Sequence, residues 1–185
     1  MGDLYALLTA VCWSFAVILF ELSSKKLYPL QINIVKNSFG VIGFIITIFI
    51  FDRFTKQEII NNFNKSIYYI NDYINFDLIW NIGIGFGFLS TDSSLFYNLV
   101  TVTVGIVIIF LLYVFVQSEN IDKFIYSIII GGALGNFFDR LVYNAVPDFI
   151  DLHYNSFHWF TFNVADIFIT IGISIFIIRS IFIKN

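Results

Sequence analysis

A single cysteine, Cys12, in 185 residues rules out an internal disulfide and a thiolate metal cluster. Histidine is nearly as scarce. His153 and His158 stand near each other without a HExxH or comparable companion, so no metal site and no cofactor is expected. Charge is scarce as well: 12% of residues are charged, against about 25% in soluble domains. The lysines and arginines are scattered rather than striped and the net charge is −3, which sets aside a nucleic-acid role. Neither internal repeats nor a low-complexity linker interrupt the chain. What fills it is apolar: 58% of residues are hydrophobic and 20% aromatic, the composition of a bilayer protein.

Residues 4–20, LYALLTAVCWSFAVILF, are uncharged and long enough to cross the hydrocarbon core as a helix. A cleaved signal peptide is disfavoured because Asp3, with no lysine or arginine, precedes the run. Pro29 marks the turn into a second span at about 34–51, which holds Gly40 and Gly43 and ends abruptly at Asp52-Arg53-Phe54-Thr55-Lys56. Asp52 and Lys56 share a helix face, and taken alone they read as an interfacial ion pair of little energetic weight. Residues 57–92 are polar and aromatic and hold no spanning run. Tyr73–Trp80 has the aromatic and β-branched content of a strand, and glycines then alternate through Asn81-Ile82-Gly83-Ile84-Gly85-Phe86-Gly87. Further spans are expected at about 95–116, 124–138 and 162–183, with a polar and aromatic loop over 139–161.

Lys25, Lys26, Lys36, Lys123 and Lys184 fall on one side of this arrangement, the cytoplasmic side by the positive-inside rule. The segments 52–92 and 139–161 then face outward, with Asp52, Glu58, Asp72, Asp77, Asp92, Asp139, Asp148, Asp151 and Asp166 at or near that face.

Among these acids, Asp139 closes one apolar run and Asp166 opens the next. Each follows an asparagine three residues earlier, Asn136 and Asn163, which in a helix lies on the same face. An ionisable group at a span is costly and reads as functional unless a partner explains it. Arg140 is a poor partner for Asp139, since adjacent helical residues point to different sides. Asp166 has a structural reading too, as the acid of a helix cap with Asn163. If Asp139 and Asp166 come within hydrogen-bonding reach, they share one proton at neutral pH. Such a pair hydrolyses an amide, one carboxylate activating water while the other protonates the carbonyl oxygen. Asn136 and Asn163 would orient the acids, and Arg140 would hold a substrate carbonyl or a lipid phosphate.

The motifs resemble those of the bacterial lipoprotein signal peptidases (signal peptidase II), which are membrane aspartyl proteases. Asp52-Arg53-Phe54-Thr55-Lys56 is similar to D-x-x-T/S-K, and residues 81–87 to N-x-G-x-A-F-G, with Gly85 in place of alanine. Residues 131–140 resemble GGALGNxxDR, Val146-Pro147-Asp148-Phe149-Ile150 resembles V-x-D-F-I, and Phe162-Asn163-Val164-Ala165-Asp166 resembles FNxAD. The likeness covers about 34–183. It implies a polytopic α-helical membrane protein with a four-helix core, a small β-cradle at the outer face formed from about 57–92, and one extra N-terminal helix over 1–33. It also implies Asp139 and Asp166 as the catalytic dyad, supported by Asn136, Arg140 and Asn163, with Asp52, Lys56 and Asn81 shaping the substrate and lipid pocket. The implied reaction removes signal peptides from prolipoproteins before a diacylglyceryl-modified cysteine, by a monomer in the bacterial inner membrane, in contact with membrane lipids. Residues 1–33 weakly resemble the first helix of drug/metabolite transporters and are expected to form an extra anchor. The alternative is a small transporter or channel subunit whose aspartates relay protons. A relay would place its acids near the bilayer midplane, whereas these lie at span ends.

Overall fold

The computed structural model describes residues 28–63, 67–83 and 94–182, with Ser14, Val17, Ile18 and Glu21. The expected span at 4–20 and the position of Gly85 therefore lie wholly or almost wholly outside the described residues. The chain divides into two compact units, 1–40 and 41–185. In the first, Ser14, Val17, Ile18 and Glu21 are helical and exposed.

The described elements run α1 (Pro29–Asn62), β1 (Tyr68–Asn71), β2 (Ile74–Asn81), α2 (Ser94–Gln117), α3 (Asn120–Tyr143), β3 (Val146–Tyr154), β4 (Phe157–Phe162) and α4 (Val164–Phe182). Four helical segments, Ser38–Asn62, Tyr97–Gln117, Ile121–Tyr143 and Val164–Phe182, are long and apolar enough to cross a membrane. Their exposed side chains include Phe110, Tyr113, Ile109 and Ile181, apolar groups that a lipid environment tolerates without cost.

Helix α3 is the centre of the second unit: 56% of its most apolar window is buried, against 11–17% in the other three. Glycines make that possible. A Cβ on Gly131 would stand 2.8 Å from Ile48 of α1, and one on Gly132 would stand 2.6 Å from the Ala165 carbonyl oxygen of α4. Small residues thus let three backbones close together where lipid supplies no hydrophobic drive.

Two boundaries differ from the sequence reading. Helix α1 does not stop at Asp52 but continues to Asn62, because Asp52 and Lys56 turn inward and satisfy each other inside the bundle. The expected loop at 139–161 is instead the end of α3 followed by a hairpin. Asn144 takes the left-handed conformation (φ 53°) that closes a helix, and Asn155 (φ 52°) turns β3 into β4.

The strands form one antiparallel sheet in the order β1-β2-β3-β4. The expected strand at 73–80 appears as β2, whose far end pairs Ile79 with Asp148 and Asn81 with Val146. Strand β3 is buried over Val146–Phe149 and β4 is mostly exposed. Since β4 ends at Phe162 and α4 begins at Val164, the sheet delivers the chain straight onto the first turn of a spanning helix.

Candidate active site

The first turn of α4 is built by reciprocal capping. The Asn163 amide N–H donates to Asp166 Oδ2 at 3.2 Å, and the Asp166 amide N–H donates to Asn163 Oδ1 at 3.1 Å. The structural role read for Asp166 from its spacing is therefore present. Its other oxygen, Oδ1, accepts from Asn136 Nδ2 of α3 at 2.8 Å. The side chain of Asn163 turns the other way, its Nδ2 donating to Asp148 Oδ1 at 2.5 Å, while Asn81 Nδ2 donates to Asp148 Oδ2 at 2.8 Å.

Asp148, Asp166, Asn81, Asn136, Asn163 and Arg140 all line one cavity of about 310 Å³, walled on the apolar side by Val104, Ile169 and Ile173. Burial is the main reason the Asp148 carboxyl is pushed up to about 7, and the nearby Asp166 charge adds to it. Hydrogen bonds from Asn81 and Asn163, and the Lys56 charge, pull the other way. Arg140 reaches the cavity with one nitrogen engaged, Nη2 donating to the Gly83 carbonyl at 2.5 Å. Its Nη1 is buried and has no hydrogen-bond partner among the described residues. Tyr97 steadies this residue from α2, its hydroxyl donating to the Arg140 carbonyl at 2.9 Å.

Asp139 sits elsewhere. It is fully buried, and one oxygen is paired with Arg53 while the other accepts from Lys56 Nζ at 2.7 Å. Arg53 in turn lies over the rings of Phe138 and Tyr143. The same Lys56 ammonium donates to Asp52 Oδ2 and to Asn136 Oδ1, each at 2.8 Å, and Asp52 Oδ1 accepts the Ala165 amide N–H at 2.9 Å. Asp52, Lys56 and Asp139 do not line the cavity. They form an interior charge cluster behind it, joined to it through Asn136 and the start of α4.

Three expectations change accordingly. The ion pair of Asp52 and Lys56 is not interfacial: both side chains are 0% exposed. Neither residue lines this cavity; they fix the frame that holds Asn136 and Ala165. The acid that shares the cavity with Asp166 is Asp148 rather than Asp139, whose neighbours are two cations. The missed residue had a signal in the sequence, since Asp148 is a carboxylate inside the apolar run Val146-Pro147-Asp148-Phe149-Ile150, a costly place for an unpaired charge. Arg53, the partner of Asp139, left no comparable mark.

Comparison with known proteins agrees with this architecture. The family model for signal peptidase (SPase) II matches residues 44–182. The chain is 47% identical over 158 residues to a lipoprotein signal peptidase of Pelagibacter ubique, covering 84% of this chain and 95% of that one. It is 45% identical over 119 residues to the lipoprotein signal peptidase of Blochmanniella pennsylvanica, covering 60% of this chain and 71% of the relative. A solved bacterial membrane enzyme, determined by the in meso method at 2.3 Å resolution, superposes with a TM-score of 0.64 at 29% identity, over 77% of this chain and 87% of that one. The chain belongs to the signal peptidase II family. It is a multi-pass membrane protease of the aspartic type, and nothing in these likenesses supports the transporter alternative.

Proposed function

We propose that this protease removes signal peptides from prolipoproteins before a diacylglyceryl-modified cysteine, with Asp148 and Asp166 as the reacting carboxylates. The observation that carries the assignment is that these two acids line one cavity and are held by neutral amides, Asn81, Asn136 and Asn163. With the Asp148 carboxyl pushed up to about 7, the pair holds one proton near neutrality. The charged member takes a proton from water as it attacks the scissile carbonyl, and the protonated member delivers its proton to the carbonyl oxygen. The tetrahedral intermediate collapses as the carboxyl that took the water proton gives it to the leaving amine and the C–N bond breaks, while the other carboxylate takes a proton from a hydroxyl of the gem-diol, so the pair again holds one proton. Arg140 Nη1 is available to donate to a substrate carbonyl beside the scissile bond. The apolar wall of Val104, Ile169 and Ile173 suits an acyl chain or an apolar signal-peptide side chain.

Asp139 is assigned a structural task, since Arg53 and Lys56 occupy its two oxygens and it does not line the cavity. Lys56 and Asn136 are positioning residues that orient Asp166. The enzyme acts at the outer face of the bacterial inner membrane, as the distribution of lysines indicates. It works as a monomer in contact with membrane lipids. Residues 1–33 serve as an additional anchor ahead of the peptidase domain at 34–185.

The test is a gel-shift assay on a diacylglyceryl-modified precursor. Asp148→Asn and Asp166→Asn are each expected to lower the rate by about 10³-fold or more while the protein remains folded. Asp139→Asn is expected to lose thermal stability and to keep measurable cleavage at low temperature. Full activity of Asp148→Asn would overturn the assignment.

A further inference from the structure

Arg140 is a buried cation that lines the same cavity as Asp148 and Asp166, yet among the described residues it forms no ion pair. The oxygens of both acids go to amides instead. Opposite charges around one poorly hydrated cavity attract strongly, so their separation needs a cause. One restraint comes from the turn after β2. Arg140 Nη2 donates to the Gly83 carbonyl at 2.5 Å, and the Gly83 amide N–H donates to Asn81 Oδ1 at 2.9 Å.

The other restraint is Tyr97 of α2, a residue to which the proposed reaction gives no task. The Arg140 carbonyl lies in the last turn of α3, where carbonyls run short of amide partners. Tyr97 supplies a donor there, its hydroxyl standing 2.9 Å away. Its ring meets the other end of the same residue, with the Arg140 guanidinium 5.8 Å from the ring centroid. A single side chain, 8% exposed, thus holds Arg140 both at its backbone and at its charge. Neither restraint engages Nη1, which stays buried without a partner among the described residues.

We propose that Tyr97 is a positioning residue of the reaction: by holding Arg140 at both ends it keeps this cation off the Asp148 and Asp166 pair and leaves Nη1 for the substrate. The statement rests on the roles given to Arg140 and Asp148 in the proposed reaction. Without Tyr97 the guanidinium is free to turn toward Asp148, whose other charged neighbours are Asp166 on α4 and Lys56 on α1, with the neutral Asn81 and Asn163 at its oxygens. A guanidinium beside Asp148 favours its charged form, so the proton needed by the scissile carbonyl is lost at lower pH. The substrate loses a donor at the same time.

The test uses the full-length protein in detergent micelles and a diacylglyceryl-modified precursor, with kcat and KM followed between pH 5 and pH 9 below the unfolding temperature of each variant. Tyr97→Phe keeps the ring and loses the hydroxyl. Its kcat is expected to fall about fivefold with KM little changed, the scale of one neutral hydrogen bond. Tyr97→Leu loses both holds, and the alkaline limb of kcat/KM should move down by about one pH unit. In an Arg140→Gln background no cation remains to turn, so adding Tyr97→Leu should leave the limb in place. A tyrosine that only packs α2 against α3 would lower the unfolding temperature without moving the limb. Limbs that coincide in the wild type and Tyr97→Leu, or a displacement that persists in the Arg140→Gln background, would overturn the inference. Failure of the underlying reading has a different signature, full cleavage by Arg140→Gln or Asp148→Asn alone, and it takes the inference with it.

Discussion

Asp139 and Asp148 are both buried acids near the same cavity, and their surroundings give them opposite properties. The bundle surrounds Asp139 with Arg53 and Lys56, cations that take up both of its oxygens and hold it still. The sheet and the start of α4 surround Asp148 with the amides of Asn81 and Asn163, which fix its direction and leave its proton free to come and go. Partner chemistry, more than depth, separates a carboxylate that holds helices together from one that can move a proton.

The sharpest way to break this contrast is to remove the cation. Lys56→Met strips the ammonium from Asp52, Asp139 and Asn136 at once, leaving buried charge uncompensated. The expected cost is about 3–5 kcal/mol, seen as a large drop in thermal unfolding temperature in detergent. A variant as stable as the wild type would mean the cluster is not the frame described here.

Acidity sharpens the contrast from the other side. The Asp148 carboxyl is raised from 3.8 to about 7. The folded protein therefore binds this proton more tightly than the unfolded chain does. The stability contributed by this group is complete below pH 3.8 and is lost as pH rises through about 7. Cleavage follows the same proton: kcat/KM should show an alkaline limb near pH 7, above which Asp148 has lost the proton that the carbonyl oxygen needs. A flat profile from pH 6 to pH 9 would count against Asp148 as the shared-proton acid.

The smallest effect concerns the packing that sets the two regions side by side. Gly132→Ala would place a methyl group 2.6 Å from the Ala165 carbonyl, forcing α3 and α4 apart next to Asp166. The expected destabilisation is about 1–3 kcal/mol, with kcat reduced more than KM because Asn136 and Asp166 lose register. Unaltered kinetics at normal stability would show that the site tolerates that shift.

Much of this molecule is legible in the chain. The apolar runs give the four described spans, the aromatic and β-branched run gives β2, and the spacing of Asn163 and Asp166 gives the capped start of α4. The motif blocks give the family. The hairpin of β3 and β4 was harder to see, because its strands follow a helix end with little turn chemistry beyond Asn144 and Asn155. The pairing of the acids was hidden for a different reason. Sequence periodicity relates residues on one helix, whereas the neighbours of Asp139 are contributed by α1 and those of Asp148 by β2 and by the residue that caps α4.

What the sequence alone determined was the class of the protein: a membrane-spanning aspartic protease with polar chemistry at span ends, fixed by local hydropathy and by contiguous motifs. Only the tertiary structure decided which carboxylates stand together. Fold-back of the chain brings lysine and arginine to one acid and amides to another, and the part each acid can play follows from those neighbours.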